Sequence, residues 1–330
     1  MSIPNGGVRR PAGPRRLVFA GEAIVDVVMR VPALPQRGGD ALATSAEITA
    51  GGGFNVMAAA ARQGLPVRYA GGHGTGQWGD VIRAALAAEG IGLLRPPDQE
   101  RDTGFDVALV EPDAERTFVT HLGAETVRGP RAWDAVRTEP GDAVYVSGYG
   151  LVPPASGPAL GDWAASLPSD VLLFMDPGPL VAQIPAAVLD PVLARCDWLS
   201  CNHREAVLLT NTGLSGTGSA EPAGDPAAAA RRLLARGAAA NVLVRAGAAG
   251  CYVALLASSD VVHVRTPNVT AVDSTGAGDA HSGVFLAALA DGLSPLGAAA
   301  RANAAAAFAV TRHGPATSPT RAQLDAWLRS

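Results

Sequence analysis

The segment Asp273-Ser-Thr-Gly-Ala-Gly-Asp279-Ala280 decides most of the fold, because it joins two different sequence patterns. An apolar, β-branched stretch over 261–272 precedes it, and a helical pattern over 284–290 follows it. A strand that breaks at glycines and re-enters a helix leaves free backbone N–H groups at the helix N-terminus. The positive end of the helix dipole lies behind them, so the segment predicts an anion-binding site.

Asp279 is the unusual member of this segment. A carboxylate beside an anion site repels a phosphate, unless it takes a proton from the group that attacks that phosphate. This is the logic of an alcohol kinase, and it makes Asp279 a candidate catalytic base. The alternative is a well-capped helix, in which Thr275 is the N-cap and Asp279 only stabilises the dipole from the first turn.

The composition limits the class of protein. The 330 residues, 48% of them hydrophobic, are enough for one large α/β domain with a small appendage. A net charge of -4 without a basic stripe argues against nucleic acid as a partner. Three cysteines without a C-x-x-C pair, and no recognisable signal peptide or membrane span, predict a cytoplasmic protein that binds no membrane.

The chain contains no lysine, since all 26 Lys+Arg residues are arginine. This excludes a Walker A loop, the strand lysine of protein kinases and any lysine Schiff base. A phosphate-transferring protein of this composition must hold the phosphate charge with backbone N–H groups, Mg²⁺ and arginine.

Strand and helix signals alternate through most of the chain. Strands are expected at 17–20, 67–70, 143–147, 171–175, 198–200 and 242–245, and helices at 55–63, 80–89, 155–166, 185–195, 204–209 and 226–236. This alternation predicts a mainly parallel sheet covered by helices on both faces. Residues 1–16, which are rich in Arg, Pro and Gly, are expected to form a mobile tail before a single domain over 17–330. The Gly/Ser/Thr-rich stretch 211–224 is expected to be a surface loop.

Two segments interrupt the alternation. Residues 26–48 and 103–121 carry strand-like sequence without intervening helices, and residues 111–115 have the composition of a hairpin turn. We expect these strands to form a small β-sheet that projects from the main domain as a lid.

Taken together, these motifs resemble the ribokinase-like (PfkB) family of carbohydrate and nucleoside kinases. The match runs from about residue 17 to 328, and 272–280 is similar almost residue for residue to the family's D-T-x-G-A-G-D block. The resemblance implies a three-layer α/β/α fold with a mostly parallel central sheet and a small β-sheet lid. It also implies a catalytic base, Asp279, and an anion hole made by Gly276, Ala277 and Gly278.

The candidate acceptor site combines Asp26, which follows the first strand, with the segment Gly51-Gly52-Gly53-Phe54-Asn55. Taken alone, these are an exposed strand-end Asp and a tight turn with Asn55 as N-cap. The resemblance implies that Asp26, Gly51, Gly52 and Asn55 bind substrate hydroxyls, since one carboxylate accepts bonds from two adjacent hydroxyls. One departure is the family's glycine pair, which usually lies five and four residues before the Asn, where this chain has Ala50 and Gly51.

The candidate nucleotide site begins with Asn202-His-Arg-Glu205, a pattern that is also typical of a capping box. The resemblance implies that this element organises Mg²⁺, its waters and the ATP phosphates, with Glu205 acting through water. It further places Arg245 and Gly247 at a nucleotide-side turn and Asn303 in the adenine region. Arg245 is expected either to reach a phosphate or to pair at the surface.

The last candidate site is a monovalent-cation site. Residues 310–318 resemble the family's adenine and cation region. There Asp273, Thr275 and Ser318, with backbone carbonyls near Val310 and His313, would supply oxygen ligands for K⁺. The alternative is ordinary loop packing.

The expected reaction is transfer of the γ-phosphoryl group of MgATP to a hydroxyl, most simply a primary alcohol, of a sugar or related small molecule. A nucleoside acceptor is an alternative, because Phe54, Phe105 and Phe118 could stack on a nucleobase or pack the lid. A homodimer through the lid strands is implied by the resemblance. Two further alternatives are a non-catalytic nucleotide-binding sensor and an NAD(P)-dependent oxidoreductase. The latter would use the G-x-G-x-x-G pattern of 74–79, which lacks an acidic residue at the end of the next strand.

Overall fold

The computed structural model describes residues 13–112, 115–127, 129, 131–211, 224–258 and 260–329. The strands are β1 (Arg16–Ala20), β2 (Ala23–Arg30), β3 (Ser45–Gly52), β4 (Val67–Tyr69), β5 (Gly92–Leu93), β6 (Phe105–Val110), β7 (Arg116–His121), β8 (Asp142–Ser147), β9 (Leu172–Asp176), β10 (Trp198–Asn202), β11 (Asn241–Arg245), β12 (Cys251–Leu255) and β13 (Val261–Val264). The α-helices are α1 (Phe54–Arg62), α2 (Gln77–Ala88), α3 (Gly157–Ala165), α4 (Ala186–Arg195), α5 (His203–Asn211), α6 (Pro226–Ala235), α7 (Ala277–Ala290), α8 (Pro295–Val310) and α9 (Arg321–Trp327).

The larger sheet has nine strands in the order β13-β12-β11-β10-β9-β8-β1-β4-β5. Strands β11 to β5 in this order run parallel, and β12 and β13 continue the sheet in antiparallel fashion. Successive residues of a strand point to opposite faces. Val18 of β1 accordingly packs with apolar residues of α3 to α6, whereas Leu17 packs with those of α1, α2, α7 and α8. The fold is therefore the three-layer α/β/α arrangement that the sequence predicts.

The smaller sheet is the lid, with the strand order β3-β2-β6-β7. Strands β2 and β6 pair in parallel, and each pairs with its outer neighbour in antiparallel fashion. All four strands come from, or directly flank, the two segments 26–48 and 103–121 that interrupt the α/β alternation. The lid lies across the carboxyl ends of the parallel strands, where ligands of open α/β sheets bind.

Two boundaries differ from the sequence prediction. Arg16 belongs to β1 rather than to the tail, because its guanidinium bonds to both carboxylate oxygens of Asp142 at 3.0 and 2.6 Å. Strand β13 ends at Val264, well before 272. The amide of Asn303 donates to the carbonyls of Val264 and Arg265 at 2.8 and 3.3 Å, which occupies the acceptors a longer strand would use.

Part of the predicted tail, residues 1–12, and most of the predicted loop, residues 212–223, lie outside the described residues. Among the helices that are described, none combines the length and the hydropathy needed to cross a membrane.

Candidate active site

Two cavities meet at the N-terminus of α7. The larger, of about 660 Å³, lies between the lid and the carboxyl ends of β1, β8 and β9. The smaller cavity, of about 390 Å³, lies between the start of α7 and the turn after β11. Gly276 and Asp279 line the larger cavity, whereas Ala277 and Gly278 line the smaller one. The first turn of α7 therefore separates the two cavities.

Gly276 is the N-cap of α7, with φ at +72° and no side chain to cap the helix. A Cβ atom at this position would lie 2.0 Å from the carbonyl oxygen of Pro315, so both the conformation and the space require glycine. The alternative in which Thr275 caps the helix is wrong. The first N–H groups of a helix have no intrahelical partner, so this end of α7 presents donors and a positive dipole end to the cavities.

The Asp279 carboxylate is partly buried and accepts a hydrogen bond from Nδ2 of Asn55, at 3.2 Å. Burial and the nearby Asp176 raise the pKa of Asp279 to about 6, while Asn55 and Arg245 act in the opposite direction. The carboxylate is thus mainly ionised at neutral pH and able to accept a proton. Asn55 does not cap α1, whose N-cap is Gly53, so the capping interpretation of Asn55 is wrong.

Asp26 lies within β2 rather than at an exposed strand end, and it lines the larger cavity together with Gly52 and Asn55. Gly51 leaves room for the Asp26 side chain, since a Cβ atom at Gly51 would lie 2.0 Å from Oδ1 of Asp26. Gly52 has φ at +58° and turns the chain from β3 into α1. The structure therefore brings all four predicted acceptor residues together beside Asp279.

Four acidic residues of the larger cavity, Glu22, Asp106, Glu125 and Asp176, are absent from the sequence prediction. Asp176 ends the buried strand β9 at the carboxyl edge of the sheet, which is the same signal that identifies Asp26. Glu22 lies two residues after the end of β1, and its Oε1 accepts a 2.9 Å bond from the hydroxyl of Ser147. Burial raises the pKa of Glu22 to about 8.

Asn202 and Glu205 form the capping box at the start of α5. The Asn202 backbone and side-chain amides donate to the two oxygens of Glu205 at 2.7 and 2.8 Å, and Asn202 Oδ1 accepts from the Glu205 N–H at 2.8 Å. Burial and the neighbouring Asp176 raise the pKa of Glu205. The capping interpretation is thus correct in geometry, and it orients Glu205 towards the larger cavity, which it lines.

Arg245 does not pair at the surface. Its guanidinium is largely buried and donates to Asp176 and to the hydroxyl of Ser200, both at 2.7 Å, with Glu205 at 3.8 Å. Arg245 lines both cavities and lies against Gly278, where a Cβ atom would be 3.6 Å from the guanidinium. It therefore places a fixed positive charge under the start of α7.

The residues of this site suit Mg²⁺ that is held through its bound waters. Within the described part of the chain, no group of three or more His, Cys, Asp or Glu side chains is arranged to hold a metal ion by itself. Both oxygens of Glu205 already accept hydrogen bonds, so this residue fits a role through metal-bound water. The concentration of Asp176, Glu205 and Asp279 in one cavity fits a hydrated cation carried in with the nucleotide phosphates.

The remaining residues predicted for the nucleotide site line the smaller cavity. Asn202, Gly247 and Asn303 contribute to its wall, and Gly247 has φ at +55°. Oδ1 of Asn303 lies 3.1 Å from Nε2 of His281 of α7, so Asn303 joins α8 to the helix that carries Asp279.

The K⁺ site stays a prediction, because the groups of Asp273, Thr275 and Val310 predicted for it already have hydrogen-bond partners within the protein. Oδ1 of Asp273 accepts from the N–H and the hydroxyl of Thr275 at 2.9 and 2.7 Å and forms an ion pair with Arg116 of the lid. Its Oδ2 accepts from the Gly314 N–H at 3.1 Å. Burial opposes ionisation, but these donors together lower the pKa of Asp273 to about 2. The carbonyl of Val310 accepts from two N–H groups, while the buried hydroxyl of Ser318 has no partner.

The G-x-G-x-x-G segment also has a different role from dinucleotide binding. The Asp102 carboxylate accepts from the N–H groups of Trp78 and Gly79 at 3.0 and 2.8 Å, so it fills the anion position at the start of α2. Of the three candidate stacking residues, Phe54 is buried and Phe105 packs against Trp78. Phe118 is half-exposed and lines the larger cavity.

Known proteins resemble this chain in sequence and in fold. Residues 14–322 match the model of the pfkB family of carbohydrate kinases. The uncharacterized sugar kinase YegV of Escherichia coli K12 is 34% identical over 93% of this chain and 92% of that protein. The crystal structure of ribokinase from Thermotoga maritima superimposes with a TM-score of 0.77 at 21% identity, covering 96% of this chain and 99% of that one. Arabidopsis thaliana ribokinase complexed with ribose and ATP gives a TM-score of 0.73 at 21% identity, covering 96% and 99%.

The two-sheet architecture with its lid defines a ribokinase-like protein. The chain belongs to the pfkB family of carbohydrate kinases.

Proposed function

We propose that this protein transfers the γ-phosphoryl group of MgATP to a hydroxyl, a primary alcohol, of a sugar or related small molecule. The observation that carries the proposal is the position of Asp279, whose carboxylate faces the larger cavity while the N-terminus of its helix borders the smaller one. An acceptor hydroxyl in the larger cavity and a phosphate at the smaller one would meet at this turn. The sugar kinases among the relatives support the same reaction class.

In the proposed reaction Asp279 accepts the proton of the acceptor hydroxyl as its oxygen attacks the γ-phosphorus. Asn55 orients the carboxylate by donating to it. The N–H groups at the start of α7 and the guanidinium of Arg245 stabilise negative charge on the transferring group. Mg²⁺, when bound, would neutralise phosphate charge, and Glu205 is positioned to hold its waters. The lid covers the acceptor and limits the access of water, which would compete as acceptor.

A nucleoside is a second candidate acceptor. The half-exposed ring of Phe118 in the larger cavity favours it, because an aromatic face in the lid can stack on a base. The acceptor panel of the test below therefore includes nucleosides beside pentoses and hexoses.

The test is ADP release from MgATP in the presence of each acceptor, with Asp279→Asn as the diagnostic variant. Loss of the base is expected to lower kcat by about 10²- to 10⁴-fold, while ATP binding measured by calorimetry is retained. Asp80→Asn is the matched control, since Asp80 is an acid in the first turn of α2, exposed and paired with Arg83. Activity of Asp279→Asn within a few-fold of the wild type would contradict the proposal.

A further inference from the structure

Two carboxylates lie side by side on the inner face of the lid. The parallel pairing of β2 with β6 sets Asp26 in register with Asp106, and the pairing of β6 with β7 sets Asp106 in register with Thr120. All three residues line the larger cavity. Residues in register on adjacent strands have their Cβ atoms about 5 Å apart, so the two carboxyl groups are within reach of one small ligand.

This arrangement is unfavourable without a ligand, because like charges directly opposite each other destabilise a sheet. Asp106 is 7% exposed, and its Oδ1 is buried with no hydrogen-bond partner. Burial and the charge of Asp106 raise the pKa of Asp26 to about 7, and burial raises the pKa of Asp106 to about 6. Neither group forms a salt bridge among those the structure describes. Oδ1 of Asp106 therefore lacks the donor that a buried acid normally has.

The surroundings of the pair are rich in oxygen acceptors as well. Glu22 and Glu125 line the same cavity, and Asn55 presents a buried Oδ1 without a donor. Arg245 is the one basic residue among the described residues of this lining, and Asp176 and Glu205 already pair with it. Arg95 lies outside the lining, where its guanidinium stacks on Trp133. The acceptor half of the cavity thus offers many oxygen acceptors and little positive charge.

We propose that the acceptor is an uncharged polyhydroxylated molecule whose neighbouring hydroxyls bridge Asp26 and Asp106, and that this pair excludes acceptors carrying a carboxylate or phosphate. The proposal rests on the kinase activity proposed above and narrows its substrate class. Hydroxyl groups donate to the two carboxylates and so supply the missing partners. An anionic group at this position would face both acids without a counter-charge, and like-charge contacts of this kind discriminate strongly between ligands.

The experiment compares matched acceptors that differ in charge and keep a primary hydroxyl. The pairs are D-fructose with 2-keto-D-gluconate, D-ribose with D-ribonate, and D-glucitol with D-gluconate. For the wild type, kcat/KM for the best uncharged acceptor is expected to exceed that of its anionic counterpart by about 100-fold or more. Asp106→Asn keeps the shape of the side chain and removes one charge, so it is expected to reduce this ratio by about 10-fold.

Asp134→Asn is the control, because Asp134 is exposed and pairs with Arg131 away from the cavity. It should leave the ratio unchanged. Equal or better use of an anionic acceptor by the wild type, or an unchanged ratio in active Asp106→Asn, would overturn the proposal. Calorimetric binding of each acceptor in the presence of a non-hydrolysable ATP analogue separates the two proposals. Selective binding of uncharged acceptors without turnover would refute the kinase activity alone, whereas tight binding of the anionic ones would refute the charge selection.

Discussion

The pKa of Asp279 results from neighbours that act in opposite directions. Burial and the charge of Asp176 favour the protonated form, whereas the hydrogen bond from Asn55 and the charge of Arg245 favour the ionised form. The result is a base that titrates about one unit below neutral pH. A general base works best when its pKa lies near the pH at which the enzyme operates, so these neighbours suit Asp279 to its proposed role.

The first residue-scale prediction concerns the acid limb of the pH–rate profile. The wild type should lose kcat/KM as the pH falls through about 6, because Asp279 becomes protonated there. Asn55→Ala removes a donor that stabilises the ionised form, so the pKa of Asp279 should rise and the limb should move to higher pH, by about 0.5–1 unit. The measurement is kcat/KM against pH with a saturating concentration of MgATP.

Asn241→Ala is a suitable control for this experiment, since Asn241 donates to the Asp197 carbonyl at the start of β11 and not to the cavity. The position of the limb distinguishes pKa effects from a loss of acceptor affinity, which would lower the rate at every pH. An acid limb that is the same in Asn55→Ala and in the wild type would show that Asp279 is not the titrating base.

The residues that sequence reasoning identified and those it missed differ in one respect. Asp279 and Glu205 stand in contiguous motifs, where glycines or a capping pattern reveal the local backbone. Asp106 stands in a plain alternating strand, and its meeting with Asp26 depends on the parallel register of β2 and β6. Such a register joins segments that are distant in sequence, and no local signal specifies it. Asp176 could have been predicted from the sequence, because it ends a buried strand. Asp26 was identified by a similar signal, since it follows a buried strand.

At the scale of elements, the lid is tied to the glycine turn before α7. Arg116 begins β7 of the lid and forms an ion pair with Asp273, which lies four residues before the start of α7 at Ala277. Asp273 in turn holds the Thr275 and Gly314 backbone N–H groups. The Asp273 carboxylate therefore connects the lid, the glycine turn and the loop after α8. The guanidinium of Arg116 balances its negative charge.

This contact predicts that the enzyme does not need K⁺. Initial rates in K⁺ and in tetramethylammonium buffers of equal ionic strength should agree within about two-fold, because Arg116 already neutralises Asp273. Arg116→Ala removes that charge and the link between lid and loop, and it should lower kcat/KM by about 10-fold, the effect of roughly 1.4 kcal/mol. Arg131→Ala serves as the control, since Arg131 is exposed and pairs only with Asp134 among the salt bridges described.

Strong activation of the wild type by K⁺ would contradict this prediction and would favour the ligand set implied by the family resemblance. Activation by K⁺ confined to Arg116→Ala would support it further, since the ion would then replace the missing guanidinium.

The elements themselves were largely predictable. The six strands predicted from the α/β alternation lie within one or two residues of the observed ones, because each is a short apolar run between helical segments. The predicted end of β13 was wrong. The β-branched residues after Val264 favour a strand, but the side chain of Asn303 donates to the backbone carbonyls there. Propensity is local, and a tertiary hydrogen bond from α8 outweighs it.

At the scale of the whole molecule, acidic groups are concentrated in one cavity. The raised values are about 8 for the pKa of Glu22, about 7 for Asp26 and about 6 for both Asp106 and Asp279, with burial as the first cause in each case. Unfolded carboxyl groups titrate near pH 4. The folded protein therefore keeps protons on these groups at pH values where the unfolded chain has released them, and its stability is linked to pH.

The sign of this linkage predicts a fall in stability with rising pH. Between about pH 4 and 8 these groups bind more protons in the folded state, so their contribution is present at low pH and is lost as the pH rises through the folded pKa values. Burial lowers the pKa values of His73 and His281, which act in the opposite direction only below about pH 6.5, where unfolded histidine is protonated.

The ligand-free protein should therefore show a Tm about 2–4 °C lower at pH 8.5 than at pH 6.5, as roughly 1 kcal/mol gives in a large domain. Differential scanning calorimetry measures it, and Asp106→Asn should flatten the slope because it removes a charge that raises the pKa of Asp26. A Tm that rises over this interval would show that the cavity acids are ionised and paired in the free protein, contrary to the arrangement described above.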